Sequence, residues 1–298
     1  MKKILALFLL CSVTTLAQAK IVVPIVWPFA LSSSSGIQVR EIVTEANTIQ
    51  NKYQFVFEHR PGAGGAVGVN HVINANQPVL LVHTSSFFIR PYMVKEGSYD
   101  PEQFILINNY CSDQPLALLS KNFKTLVDLQ KQTKISVGVI PGSITTLPVA
   151  EYKKQNLKFD LIEVGFKGTP EITTAVLGGH LDVSIDFLSP TVRDINELNV
   201  LAITGTKNYG NARTFQSQGL NGYELMTISY YLLMHNKTDP AVVKELNDIM
   251  VRAVANPRVQ KLCTQDFGTV TTVSGADAQA LLDKKHQFWR KSVEKFVK

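Results

Sequence analysis

Strand-like and helix-like segments alternate along most of this chain, and their order limits the folds it can adopt. An apolar run at 21–26 leads through a loop into a helical pattern at 37–49. Strand patterns at 53–57 and 78–83 then flank a second helix. Consecutive strands joined by helices pair in parallel, with right-handed crossovers. The order therefore predicts an α/β protein.

A second α/β unit follows the first. Its segments alternate between strand and helix patterns, at 134–139, 145–155, 159–164, 169–177 and 181–187. From about residue 220 the pattern changes to a strand, two helices, a short strand and a last helix. This part has no obvious sheet of its own, so we expect it to return to the first unit. The chain is therefore predicted to form two lobes with a cleft between them.

The N-terminus is typical of a secretory signal peptide. Lys2 and Lys3 precede a short apolar run at 4–10, and small residues around position 18 predict cleavage after Ala19. We therefore expect export to the periplasm. A lipoprotein anchored at Cys11 is an alternative, but the residue before it is large and the apolar run is short. The expected division is a signal peptide at 1–19, lobe 1 at 20–110, lobe 2 at 111–219, and a part at 220–298 that returns to lobe 1.

Charge and residue spacing exclude several classes of function. The formal net charge is +6 at pH 7, and loss of the two leader lysines lowers it to +4. A mildly positive chain is compatible with anionic ligands, but it carries no basic–aromatic pattern for nucleic acid. The six histidines are scattered singly, so no metal site is expected. The run G-A-G-G-A-V-G at 62–68 departs from the dinucleotide spacing G-x-G-x-x-G, so no cofactor is expected.

Two cysteines remain after removal of the leader, Cys111 and Cys263. In an oxidising compartment they could form a disulfide. They could equally be two buried thiols that pack as small hydrophobic side chains. The spacing alone leaves both alternatives open.

The candidate binding residues lie in loops that follow predicted strands. Helix-start N–H groups have no intrahelical partner, so a hydroxyl-rich loop before a helix can cap that helix or hold an anion. In open parallel sheets such loops meet at the carboxyl ends of the strands, where ligands bind. The predicted ligand-binding residues are Phe29, Ser32, Ser33, Ser34, Ser35, Gly36, Thr84, Ser85, Gly142, Ser143, Ile144, Thr145, Phe166 and Asp186.

Some of these residues have equally plausible structural roles. Phe29 could pack under its loop or line the pocket, and the serines could simply cap a helix. Lys167 could reach a carboxylate of the ligand, or it could be a structural turn residue. The segment 60–68 is interpreted as structural, since its glycines provide backbone freedom and close packing.

Several short elements, in order, resemble the Bug family, the periplasmic receptors of tripartite tricarboxylate transport systems. The segment R-P-G-A-G-G-A-V-G at 60–68 is similar to that family's glycine-rich signature. Further similar elements are Trp27-Pro28-Phe29 with Arg40, Val79–Leu81 with Thr84-Ser85, Tyr99-Asp100 with Phe104, Gly142-Ser143 with Glu151, Val164–Thr169, and Leu177–Val183.

The resemblance implies a two-lobed, type II-like periplasmic binding protein. Such a receptor takes a small carboxylate, either a di- or tricarboxylate or a carboxylated aromatic, between two strand-to-helix loops. It implies a monomer that serves a membrane transporter or a sensor kinase and has no enzymatic activity. The first loop departs from the family pattern. Ser32 and Ser33 replace paired glycines and Gly36 replaces an acid, which favours a purely anionic ligand.

An exported serine hydrolase is the alternative function. The chain has no G-x-S-x-G element, and no histidine or aspartate is spaced as a base for one of these serines. The sequence therefore favours a binding protein over an enzyme.

Overall fold

Two separate β-sheets form the framework of the molecule. The structure is a computed structural model, and it describes residues 19–95, 98–155, 160–189 and 197–297. Residues 1–18 of the predicted signal peptide at 1–19 lie outside these residues. The first sheet has six strands in the order β11-β4-β10-β3-β1-β2, and the second has five in the order β7-β6-β8-β5-β9. Their bounds are β1 Ile21–Trp27, β2 Tyr53–His59, β3 Leu80–Thr84, β4 Phe104–Gln114, β5 Leu116–Ser120, β6 Lys134–Val139, β7 Asp160–Gly165, β8 Val183–Phe187, β9 Asn199–Ile203, β10 Ile228–His235 and β11 Thr269–Ser274.

Nine α-helices lie among these strands in the described part of the chain. They are α1 Ser34–Thr48, α2 Ala66–Ile73, α3 Ser86–Met93, α4 Leu126–Gln130, α5 Thr146–Lys154, α6 Thr169–Leu177, α7 Pro240–Val254, α8 Pro257–Gln265 and α9 Gly275–Val297. Helix α3 is not among the predicted elements. It follows the hydroxyl-rich end of β3, and it contains Pro91.

Each sheet combines parallel and antiparallel pairs. In the first, β1 pairs in parallel with β2 and β3, as the strand–helix–strand order predicts. In the second, β6 pairs in parallel with β7 and β8. The remaining pairs are antiparallel: β10 lies between β3 and β4, and β5 lies between β8 and β9. All eight residues of β10 are buried, so the strand that comes back from the second sheet forms the middle of the first.

The chain passes from the first sheet to the second at Pro115, between β4 and β5. It returns between β9 and β10. The Leu116 N–H donates to Thr204 Oγ1 at 2.8 Å, which ties the outgoing segment to the returning one. Strands β10 and β11 both join the first sheet, and helices α7 and α8 pack on α1. The boundary lies a few residues later than position 111, because β4 continues through Cys111 to Gln114.

Cys111 and Cys263 form a disulfide, with both residues buried. The bond joins β4 to α8, two elements of the same lobe that are separated by 152 residues in sequence. Of the two alternatives for these cysteines, the structure therefore contains the disulfide and not two buried thiols.

Helix α9 packs along α3 in the first lobe and also contacts α5 in the second. Its Leu282, Trp289 and Val293 are buried. None of the described helices is both long enough and apolar enough to cross a membrane. The described residues also contain no group of three or more histidine, cysteine, aspartate or glutamate side chains placed to hold a metal ion.

Candidate ligand-binding cleft

A narrow cleft lies where strands from both sheets end. It contains about 470 Å³ of empty space, a figure that includes open solvent at its mouth. Its lining comes from both lobes: Trp27, Phe29, Ala30, Ser33, Ser35, Thr84 and Ser86 from the first, and Ile140, Ser143, Ile144, Thr145, Lys167, Gly168, Thr169 and Phe187 from the second.

Four helices begin at this cleft. Helix α1 begins after Ser33, α3 begins at Ser86, α5 begins after Thr145 and α6 begins after Gly168. The first N–H groups of a helix have no carbonyl partner within the helix, and they carry the positive end of its dipole. Two helices of each lobe therefore present their positive ends to the same small volume.

The start of α1 is partly capped by its own loop. Ser33 Oγ accepts a hydrogen bond from the Gly36 N–H at 3.1 Å, and it donates to the Ala30 carbonyl at 2.7 Å. The Ile37 N–H bonds the Ser33 carbonyl. Within the described part of the chain, the N–H groups of Ser34 and Ser35 have no protein acceptor. These two groups are therefore available to an anion.

The hydroxyl protons of the serine loop are directed into the protein. Ser34 Oγ donates to the Asp266 carboxyl group. Tyr230 Oη donates to Gln114 Oε1 at 2.6 Å, so its single proton is used and Ser35 Oγ must donate to Tyr230, at 2.7 Å. Together with Ser33, these serines position the helix start, and their hydroxyl groups offer a ligand only lone pairs.

Hydroxyl donors for a ligand come instead from the neighbouring elements. Thr84 Oγ1 accepts from the Ser86 N–H, and Ser86 Oγ accepts from the Ile144 N–H at 3.1 Å. Neither hydroxyl proton has an acceptor among the described residues. Ser143 Oγ and Thr145 Oγ1 lie 2.7 Å apart. One of their two hydroxyl protons forms the hydrogen bond between them, so the other is free. Three hydroxyl protons can therefore point into the cleft.

Lys167 is the only charged residue among the described residues that line the cleft. It is exposed, and it immediately precedes Gly168, which begins α6 without a side-chain cap. An ammonium group and an uncapped helix start therefore lie side by side at the second-lobe wall. The pattern V-G-F-K-G-T identifies the turn, but no sequence signal shows that its lysine reaches the cleft.

Asp186 lies behind the cleft wall. It is 1% exposed, and Oδ1 accepts from Thr169 Oγ1 at 3.1 Å and from the Phe187 N–H at 2.7 Å. Oδ2 has no hydrogen-bond partner in the described part of the chain. Burial raises the pKa of this carboxyl group to about 7, against the lowering effect of these hydrogen bonds and of Thr173. Asp186 contacts a lining residue but does not line the cleft.

The glycine-rich segment at 60–68 packs beside the cleft, against residues of both lobes. Gly65 has φ +98°, and a Cβ there would lie 2.3 Å from His83 Nε2. His83 is fully buried, and desolvation lowers its pKa to about 3, so the ring is neutral. At Gly64 a Cβ would lie 2.9 Å from the Pro141 carbonyl oxygen of the second lobe. The segment thus packs the two lobes closely together.

The structure brings together half of the residues predicted for the site. Those that line the cleft are Phe29, Ser33, Ser35, Thr84, Ser143, Ile144 and Thr145. Ser32 is exposed beside the cleft, and Ser34, Gly36, Ser85, Gly142, Phe166 and Asp186 lie in or behind its walls. Gly142, at φ +75°, packs on Arg90: a Cβ there would lie 2.7 Å from Nη1.

A wider groove lies at the crossing between the lobes, with about 1,410 Å³ of empty space that includes open solvent. It is lined by the crossing segments near Pro115 and Gly205 and by α9 residues such as Lys285 and Trp289. None of the described helices begins among the residues that line this groove. The cleft is smaller, but its convergent donors make it the better candidate site.

The chain matches a known protein family over most of its length. A family model described as the tripartite tricarboxylate transporter family receptor matches residues 40–296. The match covers most of the chain, including the second sheet and every strand of the first except β1. No sequence match was found among curated proteins.

Solved structures share the fold over nearly their whole length. The periplasmic binding protein BugD has 23% identity and a TM-score of 0.82, covering 93% of this chain and 97% of its own. MatC from Rhodopseudomonas palustris, solved with bound malate, has 21% identity and a TM-score of 0.80, covering 91% and 98%. An R. palustris protein solved with adipate has 19% identity and a TM-score of 0.80, covering 91% and 96%.

These matches confirm the predicted two-lobed α/β fold of a periplasmic binding protein. They also confirm the resemblance drawn from the short sequence elements. The chain belongs to the receptor family of the tripartite tricarboxylate transporters.

Proposed function

We propose that this protein is a periplasmic receptor that captures a small carboxylate by closure of its two lobes, for uptake or sensing. The observation that carries the proposal is the convergence of four helix starts, two from each lobe, on one cleft. Backbone N–H groups at helix starts bind anions without a large desolvation cost. Closure excludes water and strengthens these bonds.

The charge of the lining supports an anionic ligand. The described lining residues include one cation, Lys167, and no acid. Asp186, a buried acid that bonds the lining residue Thr169, has a pKa raised to about 7 by burial, so its neutral form is favoured below that pH. A ligand amine would meet no carboxylate on these walls, so we propose a purely anionic ligand.

The ligand class is proposed from the fold neighbours. Two of them were solved with the dicarboxylates malate and adipate. We propose that a di- or tricarboxylate, or a carboxylated aromatic, binds here with one carboxylate at the α1 start. A second anionic group would lie near Lys167. The receptor would act as a monomer, after cleavage behind Ala19, for a membrane transporter or sensor kinase.

The contacts give little support to the alternative of an exported hydrolase. A nucleophilic serine needs a base that takes its proton. Ser33, Ser34 and Ser35 donate theirs to a carbonyl, to Asp266 and to Tyr230. The neutral His83 ring bonds the Thr84 backbone.

Binding of carboxylates is expected to raise the thermal stability of the protein. Malate, adipate and citrate are compared with their neutral amides, two diamides and one triamide, by thermal shift and by quenching of Trp27, which lines the cleft. A ligand present at 100 times its dissociation constant stabilises the folded state by about 2.7 kcal/mol. Equal responses to acids and amides would contradict an anion site.

Replacement of Lys167 by glutamine is expected to weaken binding of a dicarboxylate about tenfold, because a charge-assisted contact contributes about 1.5–3 kcal/mol. A monocarboxylate should lose much less. Lys124→Gln is the matched control, since Lys124 is an exposed lysine of the same lobe that does not line the cleft. Calorimetric titrations of both variants make the comparison, and an unchanged affinity in Lys167→Gln would remove this lysine from the site.

Carboxylate affinity is expected to fall as the pH rises from 6 to 8. Burial raises the folded-state pKa of Asp186 to about 7, so its negative charge develops over this range behind Thr169 and opposes a bound anion. The same raised pKa makes the free energy of unfolding decrease as the pH rises from about 4 to about 7, because in this range only the folded state holds the proton. Asp186→Asn should flatten both profiles, and a slope that persists in this variant would assign it to another group.

A further inference from the structure

Asp266 is a buried acidic residue that does not line the binding cleft. It ends α8 and is 1% exposed. Its Oδ2 accepts hydrogen bonds from Ser34 Oγ and from Gln38 Nε2, the latter at 3.3 Å. Its Oδ1 accepts from Ser189 Oγ at 2.6 Å. A buried carboxyl group needs such donors, because an uncompensated one costs several kcal/mol.

The two oxygens bond different lobes. Ser34 and Gln38 lie in the first turns of α1, the helix whose N–H groups face the cleft. Ser189 follows β8 of the second sheet, just after Leu188, whose N–H bonds the Pro115 carbonyl at the crossing. One carboxyl group therefore joins the first-lobe helix start to the second lobe beside the crossing segments.

The position of Asp266 is fixed independently of both partners. The disulfide attaches Cys263, one turn earlier in α8, to Cys111 in β4. Gly268 packs against this bond, since a Cβ there would lie 2.5 Å from Cys111 Sγ. The Asp266 N–H bonds the Leu262 carbonyl at 3.4 Å. Asp266 is thus presented from a cross-linked part of the first lobe.

The bond to Ser34 has a direct consequence for the cleft. The Ser34 hydroxyl group donates to Asp266, so the Ser34 N–H and its neighbour at Ser35 remain the donors of this helix start. Loss of the carboxyl group would free the first turn of α1 to rotate. The bond to Ser189 has a different consequence, because it requires the second lobe to lie close.

We propose that Asp266 is a positioning residue and a closure latch of this receptor: it holds the start of α1 in its binding geometry and bonds Ser189 only when the lobes are together. The inference rests on the proposed function for the role of α1. The latch itself concerns the equilibrium between lobe arrangements and can be measured without a ligand. A contact made in only one arrangement shifts that equilibrium by its own free energy.

Three variants separate the two roles. Asp266→Asn removes both bonds in their present form, Ser34→Ala removes only the first-lobe bond, and Ser189→Ala removes only the interlobe bond. Ser120→Ala is the matched control. Ser120 is also buried, but its hydroxyl group donates to the Asp182 carbonyl within the second lobe. Ser189→Ala is the mildest change, so it still tests the latch if Asp266→Asn fails to fold.

The first measurement is small-angle X-ray scattering of the unliganded proteins. Asp266→Asn and Ser189→Ala are expected to have a larger radius of gyration than the parent protein, whereas Ser34→Ala and Ser120→Ala keep its value. The second is stopped-flow Trp27 fluorescence with malate and adipate as probes. Ser189→Ala should raise the dissociation rate about tenfold with little change in the association rate, a pattern that a loss of stability alone does not produce.

The outcomes are distinguishable. Unchanged scattering and unchanged dissociation rates in Asp266→Asn and Ser189→Ala would overturn the latch. If Ser34→Ala reproduces Asp266→Asn while Ser189→Ala behaves as the parent protein, the interlobe role is overturned. Failure of the unaltered protein to respond to any carboxylate would count against the proposed function, and the scattering result would still decide the latch.

Discussion

The first N–H groups of a helix cannot bond within that helix, and the binding site depends on this constraint. Four helices begin at one cleft because each follows a strand that ends there. The sheets must therefore face each other across the cleft with their strand ends aligned, which requires the chain to cross between them and return. Strand β10 makes the return, and its burial in the middle of the first sheet fixes the lobe that carries α1.

Side-chain hydroxyl groups in this site serve mainly to position backbone donors. Ser33 caps α1, Ser34 bonds Asp266, and Ser35 bonds Tyr230, which in turn bonds Gln114 at the end of β4. Of these partners, Gln114 immediately precedes Pro115 at the crossing, and Asp266 bonds Ser189 beside it. The helix start is consequently tied to the segments that must bend when the lobes move. Ligand affinity and lobe arrangement would then depend on the same hydrogen bonds.

The sequence predicted the fold better than the site. Strand–helix order and the lack of a separate C-terminal sheet were enough to predict two lobes, since apolar periodicity reports burial directly. Helix α3 was missed because three consecutive apolar residues, Phe87 to Ile89, and the internal Pro91 hide its period. The predicted start of lobe 2 at residue 111 falls inside β4, because Cys111 is itself paired with Tyr230 of β10 and with Val270 of β11.

Roles that depend on distant partners could not be derived from local patterns. The serines at 32–35 were predicted from their position before a helix, and the structure places only Ser33 and Ser35 on the cleft. The direction of their protons is set by Asp266 and Tyr230, which lie about two hundred residues further along the chain. For Lys167 the sequence left both a ligand contact and a turn role open, because its place in the lining depends on how the second lobe faces the first.

The most direct test of this account is an amide NMR titration of the isotope-labelled protein with malate and adipate. Binding by helix starts of both lobes predicts that the Ser35 and Thr169 amide resonances shift together and saturate at the same ligand concentration. The exposed amide of Lys124, outside the cleft, should remain in place. Shifts confined to one lobe, or to the groove beside α9, would contradict capture of a carboxylate between the two lobes.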